Sequence, residues 1–407
     1  GGIFTATNRN LDGNFEELHK AAYTGGIDFR HNWNDRNYFI DGNIIASKVI
    51  GSKEAITATQ QTLRHNFNRV DASHVNVDPN RTSLTGTGGR IEAGKSGGGN
   101  WRYNGGFIWR SPELELNDVG FLRQTDEMIQ LSGIRYLWQE PKGIYRDIRA
   151  NFNQFATYDF DGNFNRIQYE LSGNVNWKNN WWTEVELGHK PRIFSNSFLQ
   201  GGPRWRFSAE NYFVLFFGSD RSKKMSFTLG YVGSAAKQNN FSFQRHVFRM
   251  NYQPFDALSV SLSTEFEKNP SKTQYVNQAD YNTTLRVNYS INPNMSIQFY
   301  GQPFIARGRY SNFNYVNNAV SKDLYSRVSW YNNNQILENN GNYNVDENID
   351  GVTDYTFGKP DFSYVQFRTN LVARWEYIPG SELFFVWARG GAGSGDPNNS
   401  LTRSFRN

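Results

Sequence analysis

The chain has 407 residues, no cysteine and nearly balanced charge, with 43 Lys and Arg against 38 Asp and Glu and a formal net charge of +5. These numbers exclude disulfides, thiolate metal sites and cysteine nucleophiles, and no block of like charge points to a nucleic-acid partner. No apolar run reaches the roughly 18 residues of a transmembrane helix, yet 16% of the residues are aromatic, 32 Phe, 22 Tyr and 11 Trp, in a chain of negative mean hydropathy.

In chain order, a first strand is expected near Ile3 to Arg9, and a first tight turn at 34–37 (NDRN). At Gly89 to Ser96 the sequence GRIEAGKS matches the phosphate-binding pattern G-x-x-x-x-G-K-[ST]. A working phosphate loop needs a helix after it, and the Gly97–Gly99 run that follows would cripple a helix's first turn. The glycines read as a hairpin turn with Lys95 in solvent, and no nucleotide is expected.

The next ten residues, WRYNGGFIWR, alternate with period two. Trp101, Tyr103, Gly105, Phe107 and Trp109 share one face; Arg102, Asn104, Gly106, Ile108 and Arg110 share the other. The segment 111–128 (SPELELNDVGFLRQTDEM) is acidic with interspersed apolar residues, and reads as a loop folding over a mouth, a constriction or a docking loop. The alternation returns with Ile167, Tyr169, Leu171, Val175 and Trp177 against Arg166, Gln168, Glu170, Ser172 and Asn174. It recurs over 258–267, where Glu265 takes the polar face, and over 281–292, with Leu285 and Tyr289 opposite Arg286. Last come Val365, Phe367, Leu371, Ala373, Trp375 and Tyr377 against Gln366, Arg368, Asn370, Arg374 and Glu376.

Segments of about ten residues with dyad alternation and aromatic ends point to a transmembrane β-barrel. The expected fold is therefore all-β: an antiparallel up-and-down barrel of about 18 strands, about 17 of them in this chain. Eight short turns, at 34–37, 95–100, 140–143, 178–180, 218–224, 254–257, 292–294 and 378–381, are assigned to the periplasmic side. Longer connectors at 49–81, 111–127, 190–202, 268–280 and 305–361 are assigned to the extracellular side. Lipid is expected on Trp101, Tyr103, Phe107, Trp109, Tyr169, Trp177, Leu285, Tyr289 and Trp375. A water-filled lumen is expected on Arg102, Arg110, Glu170, Glu265, Arg286, Arg368 and Arg374. Residues 1–407 read as one barrel domain of a longer protein, with the closing strand expected beyond Asn407.

One loop carries a metal pattern. DENIDG, Asp346 to Gly351, fits the opening of a calcium loop. Asp346, Asn348, Asp350 and Asp354 are the expected oxygen ligands for Ca²⁺. Position twelve is Phe357 where an EF-hand has Glu, so this is not an EF-hand. Catalysis has little support: six His are scattered, and no H-E-x-x-H or G-x-S-x-G occurs.

The stretches GGIFTATNRN, FIWRSPELELNDVGFLRQTD, DFSYVQFRTNLVARWEYIPGSELFFVWARG and VDENIDGVTDY resemble a Bacteroidota outer-membrane β-barrel family of unknown function. In that family the barrel follows a carbohydrate-binding module of family nine. The resemblance implies residence in the bacterial outer membrane, contact with lipid and lipopolysaccharide, and carbohydrate contact through an N-terminal module outside this sequence. The expected role is a surface anchor or passive pore in nutrient handling. The alternative is a scaffold subunit with outer-membrane protein partners.

Overall fold

A computed structural model of the chain describes residues 1–11, 13, 15–118, 120–272, 276–399 and 403. The strand-forming segments are β1 (Gly2–Asn8), β2 (Ala21–Trp33) and β3 (Tyr38–Ile50), then helix α1 (Lys53–Gln61). They continue with β4 (Ser83–Lys95), β5 (Trp101–Arg110), β6 (Glu127–Trp138), β7 (Tyr145–Tyr158), β8 (Phe164–Trp177) and β9 (Trp182–Ser195). Next are the short β10 (Trp205–Phe207), β11 (Glu210–Gly218), β12 (Met225–Ala236), β13 (Ser242–Phe255), β14 (Leu258–Ser271), β15 (Val276–Asn292) and β16 (Met295–Tyr310). A long connector holds β17 (Asn314–Val316), α2 (Leu324–Arg327), β18 (Val328–Trp330), β19 (Ile336–Asn339), β20 (Asn342–Val345) and β21 (Tyr355–Gly358). The chain then forms β22 (Phe362–Ile378) and β23 (Ser381–Ser394).

Seventeen long strands, β1–β9, β11–β16, β22 and β23, join in that order by antiparallel ladders into one sheet. The fragment β10 pairs with β9 and makes it an 18-stranded sheet. Among the described residues β1 pairs with β2 alone and β23 with β22 alone, so no ladder closes the sheet. The first and last of seventeen alternating strands run the same way, so antiparallel closure takes one strand more. The expected closing strand, and positions 400–402 and 404–407 of the tail, lie outside the described residues.

All eight expected short turns are present between these strands. Their backbones turn through left-handed conformations at Asn34, Asp35 and Arg36, at Gly98 and Gly99, at Gly143, at Asn180 and at Gly380, which is why Asn and Gly punctuate them. The longer connectors need correction. Strand β14 runs to Ser271 and β15 begins at Val276, so 268–280 is mostly sheet, with 273–275 outside the described residues. Strands β9 and β16 likewise extend to Ser195 and Tyr310, into connectors assigned to 190–202 and 305–361.

Register settles the faces, since directly paired residues of an antiparallel ladder point the same way. One face carries Trp101 opposite Tyr136, Tyr103 opposite Ile134, Leu171 opposite Leu187 and Leu262 opposite Leu285. It is strongly exposed: Trp101 is 51% and Trp375 50% accessible. On this face Trp33, Trp101, Trp138, Trp177, Tyr252, Tyr289 and Trp375 each stand close to a short turn, forming a belt with edge contacts such as Trp101–Tyr136 and Tyr136–Trp138 at 4.7 and 4.5 Å. Gln130, Ser132 and Gln154 interrupt it; the Ser132 hydroxyl donates to Gln154 at 3.0 Å.

The sheet curls with its polar face concave. Strands β3 and β9 are six ladders apart, about 29 Å along a flat sheet, yet the loops that follow them touch: the Arg204 amide donates to Asp71 at 2.9 Å, and Asn66 Nδ2 donates to the Asn196 carbonyl. Five ladders separate β11 from β16, yet the Arg206 amide just before β11 donates to the Ala319 carbonyl at 2.9 Å.

Candidate functional site

The polar face holds Arg102, Arg110, Glu170, Glu265, Arg286, Arg368 and Arg374, while Trp101, Tyr103, Phe107, Trp109, Tyr169, Trp177, Leu285, Tyr289 and Trp375 lie on the other. Several of its charges are paired. Arg110 meets Glu127 at 2.6 Å, Arg245 meets Glu267 at 3.0 Å and Arg249 meets Glu265 at 2.9 Å. Arg374 lies between Glu376 and Glu382. Glu170 accepts from Asn153 at 3.0 Å and from the Tyr212 hydroxyl at 3.1 Å. Arg286 sits over the Tyr300 ring, 5.0 Å from its centroid.

At the long-loop end two segments fold down onto this face. In the first, Ser52 caps α1 by accepting the Ala55 amide at 3.0 Å. Ile56 from α1, with Phe67 and Val75, buries against Ala22, Val49 and Leu84 on the polar side of β2–β4. In the second, residues 111–126, Leu114 is fully buried against Gly86 and Gly88. A Cβ on Gly86 would stand 2.2 Å from the Leu114 backbone nitrogen, so only glycine admits the loop there. The Glu115 amide donates to Ser47 on β3 at 3.0 Å.

Three of the six histidines link neighbouring segments to this second loop. His65 Nδ1 donates to the Pro112 carbonyl at 2.7 Å, and its Nε2 lies 3.0 Å from Glu115. His74 Nε2 lies 2.8 Å from Asp126, and His19 Nδ1 3.2 Å from Asp118. Burial pushes Glu115 up, but hydrogen bonds from His65 and from the amide and side chain of Asn117 outweigh it and hold the carboxyl at about 2. Burial dominates at Asp126 and raises it, against the Phe160 amide and His74. Alongside, buried Arg69 reaches Asp71 at 3.2 Å and fully buried Asp159 at 3.5 Å.

A second cluster covers the neighbouring arc. Trp205 is fully buried with Ala319, Leu324 and Val328, packed by Phe198, Leu199 and Phe207. Arg327 lies 5.5 Å over the Trp205 ring and donates to Ser208 at 2.7 Å. Burial, aided by Arg206, lowers its guanidinium to about 10. Gln238 donates to Asp323 at 2.6 Å and ties the β12–β13 connector into the cluster.

The 346–354 loop is a set of Asx turns. Asp346 accepts the amides of Asp350 at 3.2 Å and Gly351 at 2.8 Å. Asp350 accepts the amide of Val352, and Asp354 that of Glu347, at 2.8 and 2.7 Å. No group of three or more acidic or histidine side chains is gathered to hold a metal among the described residues. The phosphate-loop match lies on β4 and its turn. Gly89 clears the Trp109 indole, which a Cβ would meet at 2.3 Å, and Gly94 lies against the Tyr103 carbonyl. Lys95 ends the strand half-buried rather than free in solvent.

A family model for a domain of unknown function, DUF5916, matches residues 7–407. The chain belongs to the DUF5916 family. No curated protein matches it. Among solved structures it is similar to a double mutant of the ferric enterobactin receptor PfeA from Pseudomonas aeruginosa, with 9% identity, TM-score 0.47, and coverage of 93% of this chain and 65% of that one. It is also similar to the siderophore receptor PirA from Acinetobacter baumannii, with 6% identity, TM-score 0.45, and coverage of 95% and 61%. A third similar structure is OmpT, an outer membrane protein of Vibrio cholerae, with 10% identity, TM-score 0.30, and coverage of 95% and 96%. The chain thus spans just under two thirds of the two receptors.

In this DUF5916 chain, the loop cluster is what sequence reasoning missed. His65, Arg69, His74, Asp126, Asp159, Trp205 and Arg327 lie in segments with no period. The one sequence signal was the mixed acidic and apolar character of 111–128, which does fold onto the polar face.

Proposed function

We propose that this DUF5916 chain is an integral β-barrel of the bacterial outer membrane, with lipid and lipopolysaccharide on its apolar face and water on its polar face. The supporting observation is the exposed apolar face with its aromatic belt, set against a concave polar face that the long loops fold over. A soluble protein rarely leaves so large an apolar surface open, whereas lipid satisfies it. The role we assign is a surface anchor with a restricted pore, acting in nutrient or carbohydrate handling. The carbohydrate part rests on the sequence resemblance, in which a separate module contacts the sugar.

We read the chain as non-enzymatic. The His19 ring lies between Asp118 and the Thr59 hydroxyl, at 3.2 and 2.8 Å. That threonine already gives its proton to the Ala55 carbonyl within α1, at 2.8 Å, which leaves it a helix contact and not a nucleophile. Calcium at Asp346, Asn348, Asp350 and Asp354 rests on the sequence pattern; a chelator should speed proteolysis of 340–358, and unchanged cutting would remove the ion. The alternative role, a scaffold subunit for other outer-membrane proteins, draws on the exposed β19–β21 sheet.

The test is detergent dependence. The chain should be extracted from membranes only with detergent and should run faster on a denaturing gel unheated than boiled. A monodisperse, detergent-free protein with Trp101, Phe107 and Trp375 buried overturns the proposal.

A further inference from the structure

On the polar face near the short-turn end, β3–β7 form an open cavity of about 550 Å³ whose lining includes Phe39, Glu92, Lys95, Asn104, Leu137 and Asn153 together with the arginines named below. Its charges are arranged differently from the ion-paired positions of this face. At three places on this face a carboxylate stands directly across the ladder from a cation: Arg110 from Glu127, Arg245 from Glu267, Lys190 from Glu210. Here Arg102 is the direct register partner of Arg135. Arg149 stands on the next strand, two residues from Asn151, the partner of Arg135. Like charges directly opposed across a ladder are destabilising.

None of the three arginines has an ion pair among the described residues. The Arg102 guanidinium is turned to the carbonyls of Gly98 and Gly99, at 3.2 and 2.8 Å. Arg135 spends only Nε, on Asn151 Oδ1 at 2.5 Å. Glu92, the cavity's one carboxylate, is held by Arg90 and by Asn104, the latter at 2.9 Å. Arg368 is also without an ion pair, but it stands among Gln302, Gln366 and Asn370 with no second cation beside it.

Three guanidiniums lining one cavity are the chemistry that binds an oxyanion by charge-assisted and bidentate hydrogen bonds. We propose that this cavity is a binding site for small oxyanionic solutes, phosphorylated or carboxylated, on the short-turn side of the capped interior. This rests on the reading of the polar face as an aqueous interior.

The full chain, purified in detergent, is titrated by calorimetry with inorganic phosphate and separately with citrate at low salt. Saturable binding by either is expected, the stronger one naming the source, and Arg135→Gln/Arg149→Gln should weaken it at least tenfold. Arg368→Gln, the lone-arginine control, should leave it unchanged. Each variant is first shown to be folded by its heat-modifiable gel mobility. No saturable binding to the folded wild type, or equal binding by the double variant, overturns the site. A chain that is soluble without detergent overturns the aqueous-interior reading instead, so the two failures are separable.

Discussion

At the residue scale, Glu115 is the most consequential side chain of the loop that covers the polar face. Its carboxyl ties His65, Arg64 and the Asn117 amide together, within a loop pinned by the Glu115 amide to Ser47 and by Leu114 to Gly86. Its acidity is strengthened in the folded state, from 4.5 to about 2. The stabilisation is therefore whole above pH 4.5 and is lost as pH falls towards about 2. A shift of that size corresponds to about 3 kcal/mol. Amide hydrogen exchange across 113–118, corrected for intrinsic rates, should stay slow from pH 7 to 5 and accelerate below. Glu115→Gln should accelerate exchange at pH 7 and flatten the pH dependence. Equal protection in wild type and variant would show that the apolar seat of Leu114 against Gly86 holds the loop by itself.

At the scale of elements, strands and loops differ in how far the sequence reveals them. The strands that cross the apolar band alternate because each face meets one solvent, and their short turns need left-handed residues, so seventeen strands and eight turns are readable from local pattern. The error at 268–280 has the same cause. There β14 and β15 continue past the apolar band, and the alternation vanishes while the ladder persists from Lys268–Ala279 to Ser271–Val276. The loop clusters are not readable, because their contacts join residues far apart in sequence, such as Arg327 with Ser208, and have no period to detect. Trp205 holds the second cluster: it is fully buried between Phe198 and Arg327. Trp205→Ala removes a side chain worth about 3–5 kcal/mol in a core, and Trp205 is the largest fully buried side chain of its cluster. Trypsin should then cut at exposed Lys322 much faster, while the strands stay protected and the heat-modifiable mobility is kept. Unchanged cutting would mean that Arg327, Ser208 and Gln238 suffice.

For the molecule as a whole, the sheet and the loops make opposed demands. A ring of 16 to 18 strands leaves a water-filled channel unless something fills it. In the barrel we propose, the loops would reach across it: 51–82 meets 159–163 and 196–204 through Arg69–Asp159 and Arg204–Asp71, and 111–126 is wedged beneath through His65 and His74. The long-loop mouth is bridged from several walls, while the short-turn end has only tight turns. The intact chain in a planar bilayer at neutral pH should therefore pass far less current than its strand number implies. Replacing 112–126 by a short Gly-Ser turn removes Leu114, Glu115, Asp118 and Asp126 together, and with them the carboxylate partners of His65, His74 and His19. Conductance should rise several-fold, and acidifying the intact chain through the Glu115 range should raise it in the same direction. If the shortened loop and the intact chain conduct alike, the loops are ornaments on an open pore, or the interior is filled from the other end, and the restriction must be sought at the polar wall around Arg102, Arg135 and Arg149.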